Sequence, residues 1–191
     1  RHMTKNRLLN IAITLCKMTK MIFILLFIGF TVIFIHLQID RSFYSSQKIS
    51  INTDSKNYIS TTKWKAKTNE DYNKIFTVDK LKTGSLYVMY LKLSLVLILL
   101  FLCVKEFQKV MESVKGIETF GENNVLSFRR IGRLILAYAI LTSYTSMSFE
   151  NGGFTGVYIS FTSLFLVLFA FIMAEIFKEG FLIKQENDLT I

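Results

Sequence analysis

The sequence predicts an all-α membrane protein, with four transmembrane helices and a small, β-prone extracytoplasmic loop between the first two. Three observations predict it. Of 191 residues 51% are hydrophobic and only 19% are charged, against about 25% in an ordinary soluble domain. Proline is absent, so no apolar segment is kinked or broken by one. Residues 154–174 form a run of 21 without a charge, enough to cross a hydrocarbon core as a helix. The sequence that follows, beginning Glu175, Ile176, Phe177, Lys178, Glu179, Gly180, is too polar for lipid and must project into water.

The first span is residues 21–37. It offers no small-x-small cleavage site around Ile35, His36, Leu37 and Gln38, so it reads as an uncleaved anchor rather than a signal peptide. Before it, residues 1–20 carry Lys5, Arg7, Lys17 and Lys20 with an apolar stripe of Leu8, Ile11, Leu15 and Met18. Two readings stand: a basic amphipathic helix lying on the inner leaflet, or a basic lead-in that only fixes topology. Arg1 and His2 ahead of Met3 have the look of a cloning remnant. The second span is residues 86–104, the third 131–149 and the fourth 154–174. With no water to satisfy it, backbone in lipid bonds internally, which makes helices of all four. The third is the least apolar, holding Thr142, Ser143, Thr145, Ser146 and Ser148, hydroxyls that suit a packed membrane helix.

Orientation follows from the shortest connector. Residues 150–153 contain no Lys or Arg, whereas Arg129, Arg130 and Arg133 lead into the third span. The positive-inside bias therefore places that turn outside, with both termini and residues 105–130 cytoplasmic. Tyr87 and Tyr90 then fall at the outer interface. The net charge of +9 belongs to topology and anionic lipid rather than to nucleic acid. Cys16 and Cys103 lie in apolar sequence and read as small hydrophobes or cytoplasmic thiols, not a disulfide framework.

The outer loop, residues 38–85, has nine basic and five acidic residues. Ile49, Ile51, Tyr58, Ile59, Trp64, Ile75, Phe76 and Val78 make β-prone islands for a small sheet. It is either the place where an envelope signal arrives or a cap without a ligand. Small residues recur along the fourth span (Gly156, Ser160, Ser163, Ala170, Ala174) and the third (Gly132, Ala139, Ser143, Ser146), predicting a close antiparallel hairpin. At its inner end Arg133 is expected to pair with Glu175, and Arg129 or Arg130 to approach Glu179. Lys92 snorkels outward from the second span, and His36 is an interface residue rather than a ligand. No HExxH, CxxC, GxSxG, P-loop or dinucleotide fingerprint occurs. No nucleophile, base or metal set converges, so neither an enzyme nor a cofactor is expected.

Three segments are similar to a known family: Glu118, Thr119, Phe120, Gly121, Glu122 and Asn123 leading into Phe128, Arg129, Arg130, Ile131 and Gly132; the exit from Ala174 to Gly180; and the ending Gln185, Glu186, Asn187, Asp188, Leu189, Thr190 and Ile191. Together they resemble DUF2975, a family of small bacterial four-helix membrane proteins of unknown function. The resemblance covers residue 86 to the end, and the N-terminal part in layout only. It implies a bacterial inner-membrane location. It also implies a small Cro/C1-type helix-turn-helix partner, because such a protein is often encoded beside family members. Phe120, Glu122, Asn123, Phe177, Gly180, Asn187, Asp188, Leu189 and Ile191 are the expected dock. The leading reading is a non-enzymatic regulator that tethers this partner, with self-association open. The alternative is a small-solute or ion transporter subunit acting as an oligomer, which the lack of mid-membrane acids and broken helices disfavours. A third is a toxin-immunity or envelope-stress protein acting through its outer loop.

Overall fold

A computed structural model describes residues 2–49, 58–65, 76–116 and 120–189. Among these residues it contains four long helices and one small sheet: α1 (His2–Ile39), β1 (Tyr58–Lys65), α2 (Thr83–Lys115), α3 (Glu122–Ser143), β2 (Tyr144–Phe149), β3 (Gly152–Tyr158) and α4 (Phe161–Leu189). Three stretches, Arg7–Ile39, Thr83–Lys115 and Phe161–Asn187, are long and apolar enough to cross a membrane. Their apolar side chains lie largely exposed, among them Leu25, Ile28 and Val32 on α1 and Phe165, Leu168 and Phe169 on α4. Surface of that extent is a liability in water and a requirement in lipid.

The N-terminal lead-in is not a separate element. α1 runs unbroken from His2 to Ile39, and the stripe expected to face a leaflet (Leu8, Ile11, Leu15, Met18) is exposed, while Ile13 and Cys16 are buried.

The third and fourth spans need correction. Residues 131–149 are not one helix: α3 begins earlier, at Glu122, and stops at Ser143. Residues 144–149 are strand β2, residues 152–158 are strand β3, and α4 starts only at Phe161. The physical reason lies in the local sequence. Tyr144, Thr145 and Met147 on one side, and Phe154, Thr155, Val157 and Tyr158 on the other, are β-branched, aromatic or otherwise strand-tolerant. Between them Phe149 pairs with Gly152 across a two-residue connection, Glu150 and Asn151, the dimensions of a tight hairpin. Gly156, Ser160 and Ser146 therefore leave the small-residue seam, while Ser163, Ala170 and Ala174 are buried on α4. Gly132 belongs to it on α3, since a Cβ there would lie 3.1 Å from the Phe171 ring.

The sheet is antiparallel with order β1-β3-β2. The loop between the first two helices does contribute a strand, as its β-prone islands predict, but its partners come from sequence that length alone assigns to the membrane. Ile51 and Ile75 lie outside the described residues.

The chain divides into two compact units. One comprises residues 1–24, 97–138 and 161–191, and the other residues 25–96 and 139–160. The first is helical, with a core of Val110, Val125, Phe128, Ile131, Ala170, Ala174 and Phe177. The second holds the sheet and a core of Leu37, Phe76, Leu81, Leu86 and Phe149. Phe149 is fully buried and packs edge-on against Phe76, ring centroids 4.8 Å apart. The hairpin is fixed to the preceding loop by backbone bonds, Lys82 N–H to the Ser148 carbonyl (2.9 Å) and Glu150 N–H to the Lys80 carbonyl (3.0 Å).

The end of α1 is held by polar and aromatic contacts. Asp40 accepts from the Ser42 hydroxyl (2.6 Å) and the Phe43 N–H (3.3 Å), which sets the turn after the helix. Those two donors hold its carboxyl below the usual carboxylate range. Arg41 donates to the Leu81 carbonyl and to Thr83 Oγ1. His36 Nδ1 and the Tyr44 hydroxyl are 3.1 Å apart. Tyr90 stacks on Phe34 and shares a hydrogen bond with Thr31, so this tyrosine joins α1 to α2. Lys92 does not simply snorkel: its ammonium donates to the Tyr144 carbonyl and to Thr145 Oγ1. A cation there meets the carbonyl-rich C-terminus of α3, where the helix dipole favours it.

Candidate functional site

The helical unit carries the residues expected to act. They lie on the last turns of α2, the first turns of α3 and the second half of α4. Apolar residues on α3 at Val125, Phe128 and Ile131, spaced three apart, turn one face toward Val110 of α2 and toward Ala170, Ala174 and Phe177 of α4. Ala170 and Ala174 are small enough for α4 to come close.

Around this core run two polar clusters. At the α3–α4 contact Arg129 donates to Glu175 Oε1 at 2.9 Å, and Lys178 reaches Oε2 of the same carboxylate at 3.2 Å. The carboxylate thus takes Arg129, not Arg133 as the sequence reading expects. Arg133 sits one helical turn further on, is exposed, and donates instead to the Arg129 carbonyl. The expected approach to Glu179 does not form either: Arg130 turns toward α2, 3.8 Å from Glu106.

The second cluster is centred on that glutamate. Glu106 is 8% exposed, and it accepts from Lys109 at 2.6 Å and from the buried Ser127 hydroxyl at 3.0 Å. Asn124, also buried, donates to Ser113. Gln108 donates to Glu112, while its own buried Oε1 accepts nothing among the described residues. A buried carboxylate costs stability unless cations and donors surround it. Here two cations and a hydroxyl do. Sequence reasoning misses Glu106, Asn124 and Ser127 altogether. Only the i,i+3 spacing of Glu106 and Lys109 hints at an ion pair, and nothing in a single helix pattern points to a partner 21 residues away.

The expected dock is brought together in part. Phe120 lies over Gly180, where any Cβ would overlap its ring, and packs on Phe177 with centroids 5.7 Å apart. Phe177 in turn meets Phe128 at 4.9 Å. The close approach at Gly180 is therefore made by this chain itself, and Phe177 is buried rather than presented. Glu122 opens α3, an acidic residue where the helix dipole favours one. Asn123 lines a small polar cleft with Lys109, Ser113 and Arg130. Beside Gly180 an apolar groove of about 690 Å³ is floored by Ile172, Ile176 and Ile183 and flanked by Glu175 and Glu179.

α4 continues as helix beyond its apolar stretch, reaching Leu189. Its last part is exposed, with Ile183 and the 81% exposed Leu189 among Lys184, Gln185 and Glu186. Asn187 and Asp188 stand on this final turn. Ile191 lies outside the described residues.

Against known proteins, residues 60–191 match the family described as "Protein of unknown function (DUF2975)". No curated protein and no solved structure matches the chain.

Proposed function

We propose a regulatory role for this chain, which belongs to the DUF2975 family: it sits in the bacterial inner membrane and holds a small helix-turn-helix DNA-binding protein on its cytoplasmic helical unit. The observation that carries the reading is the form of α4. It leaves its apolar stretch without a break and runs through residues 175–189, about 22 Å of helix. Its base is gripped by Phe120, Phe128 and Arg129, and its tip presents apolar Leu182 and Leu189, seven apart and so on one face, among charges. A helix anchored at one end and amphipathic at the other suits helix-in-groove recognition. The partner class comes from the family resemblance, and the cytoplasmic side from Arg129, Arg130 and Arg133 at the start of α3. The role is binding, without catalysis.

The test is cross-linking and recovery from native membranes of the full chain, a chain lacking residues 185–191, and a Leu189→Asp chain. Recovery of a small helix-turn-helix protein by the full chain, lost in both variants, is the expected result. Recovery of the same partner by all three sinks the tail as its dock. Recovery of only a second copy of this chain sinks the tether and favours the oligomeric transporter.

A further inference from the structure

We propose that the apolar groove beside Gly180 is a binding site for an amphiphile with a single cationic head, a long-chain alkylammonium ion. The groove, about 690 Å³, lies within the helical unit, and its size falls among small-molecule sites, about 300–1,000 Å³. Phe120, Phe171, Ile172, Ile176 and Ile183 form its wall. From Ile172 to Ile183 (183 minus 172 residues) it follows α4 for about 16 Å.

Its two ends differ. Phe171 and Ile172 belong to the uncharged run of residues 154–174, whereas Glu175 and Glu179 lie beyond that run. A ligand with an alkyl chain at one end and a charge at the other matches this order. Ile176 and Ile183 are more than half exposed, so a chain laid over them removes apolar surface from water.

Charge fixes the sign of the head. Glu175 and Glu179 stand one turn apart on the rim, a spacing at which like charges repel. Glu175 is neutralised by Arg129 and Lys178. Glu179 is exposed and takes no ion pair or hydrogen bond among the described residues. A cation seated at Glu179 satisfies the open carboxylate and relieves that repulsion. A fatty acid would instead bring a third carboxylate. A zwitterionic phospholipid would bring a phosphate, for which Arg129 and Lys178 are not free. The site stands independently of the regulatory reading above.

The experiment uses the full chain in phosphatidylcholine nanodiscs and a hexadecyltrimethylammonium ion with a diazirine in its chain. Illumination followed by peptide mapping reads where the probe attaches. The expected result is label on residues 171–183, displaced by unlabelled hexadecyltrimethylammonium but not by hexadecanol or hexadecanoate. Glu179→Gln should raise the probe concentration for half-maximal labelling about twofold to fivefold, the weight of one exposed ion pair. Equal displacement by hexadecanol overturns the proposal, because the groove then takes any alkyl chain. Loss of label when phosphatidylethanolamine replaces phosphatidylcholine overturns it too, by assigning the groove to a membrane lipid. So does Glu179→Gln labelling identical to that of the unaltered chain, and so does label spread evenly over α1, α2 and α4.

Discussion

Glu106 shows how a single residue can tie two helices. Its carboxylate is almost out of water, and it takes Lys109 from its own helix with Ser127 and Arg130 from α3. Substitution by Ala strands the buried Ser127 hydroxyl and leaves two cations without their anion. Breaking a fully buried ion pair costs about 3–5 kcal/mol. The side chains of Lys109 and Arg130 are, however, 46% and 54% exposed and can turn to water. Glu106→Ala should therefore cost about 1–3 kcal/mol, the scale of an orphaned buried polar group. Thermal unfolding in detergent micelles reads it. Glu175→Ala, at an exposed pair, should move the midpoint far less, and equal shifts would deny Glu106 its special place. Asp40 makes a pH prediction. Its folded pKa is depressed by the Ser42 hydroxyl and the Phe43 N–H. The turn's stabilisation is thus fully present above the unfolded carboxylate value, about 3.9, and fades as pH falls through the folded one. Protection of the Phe43 amide should be flat from neutral pH down to about 4 and drop below it; Asp40→Ala should abolish both the protection and its pH dependence.

Among the elements, the β2–β3 hairpin carries a stringent packing constraint. Gly153 pairs with Trp64 across β1 and β3, and a Cβ at Gly153 would overlap the indole nitrogen. Gly153→Val should expel the indole or open the strand pair, at a cost of about 1–3 kcal/mol. Trp64 is the only tryptophan, so its fluorescence reports the event directly: emission should shift to the red in the variant. An unshifted spectrum would mean that the indole does not rest on this glycine. The same hairpin explains what sequence reading can and cannot deliver here. α1, α2 and most of α4 are plain from apolar length, because lipid demands it. The 21 uncharged residues at 154–174 satisfy that criterion too, so length hides a strand in their first five. The contrary signal is present in Asn151 followed by Gly152, between β-prone runs, but it competes with a stronger one. At the site, Phe177, Gly180 and the Arg–Glu tie between α3 and α4 can be read from residue type and position. Which arginine takes Glu175 cannot, since Arg129 and Arg133 share one helix face and a single turn decides. Glu106 is invisible for a similar reason: its partnership with Ser127 exists only once α2 and α3 lie side by side.

At the scale of the whole molecule the question is whether α3 crosses the membrane, because its three arginines keep it out of the set of strongly apolar stretches. Hydrogen bonding favours crossing. The hairpin that α3 delivers is bonded to the loop between α1 and α2 through Lys80 and Lys82. Two segments joined by backbone hydrogen bonds lie on one side of a bilayer. Arg129 and Arg130 fall in the first half of α3, where Glu175 and Glu106 meet them, and the far end is capped by Lys92. Two of the three arginines are thus paired, a condition under which lipid tolerates charge. Four crossings place Ser45 and Asn151 on one face and Gln185 on the other. With α3 left on the surface, Asn151 would instead lie opposite both Ser45 and Gln185. In a background with Cys16 and Cys103 replaced by Ser, single cysteines at these three positions separate the cases. An impermeant maleimide added outside intact cells should label Ser45→Cys and Asn151→Cys, and should reach Gln185→Cys only after permeabilisation. Labelling of Ser45→Cys without Asn151→Cys would overturn the four-crossing fold, and with it the cytoplasmic placement of the α4 tip on which the tether depends.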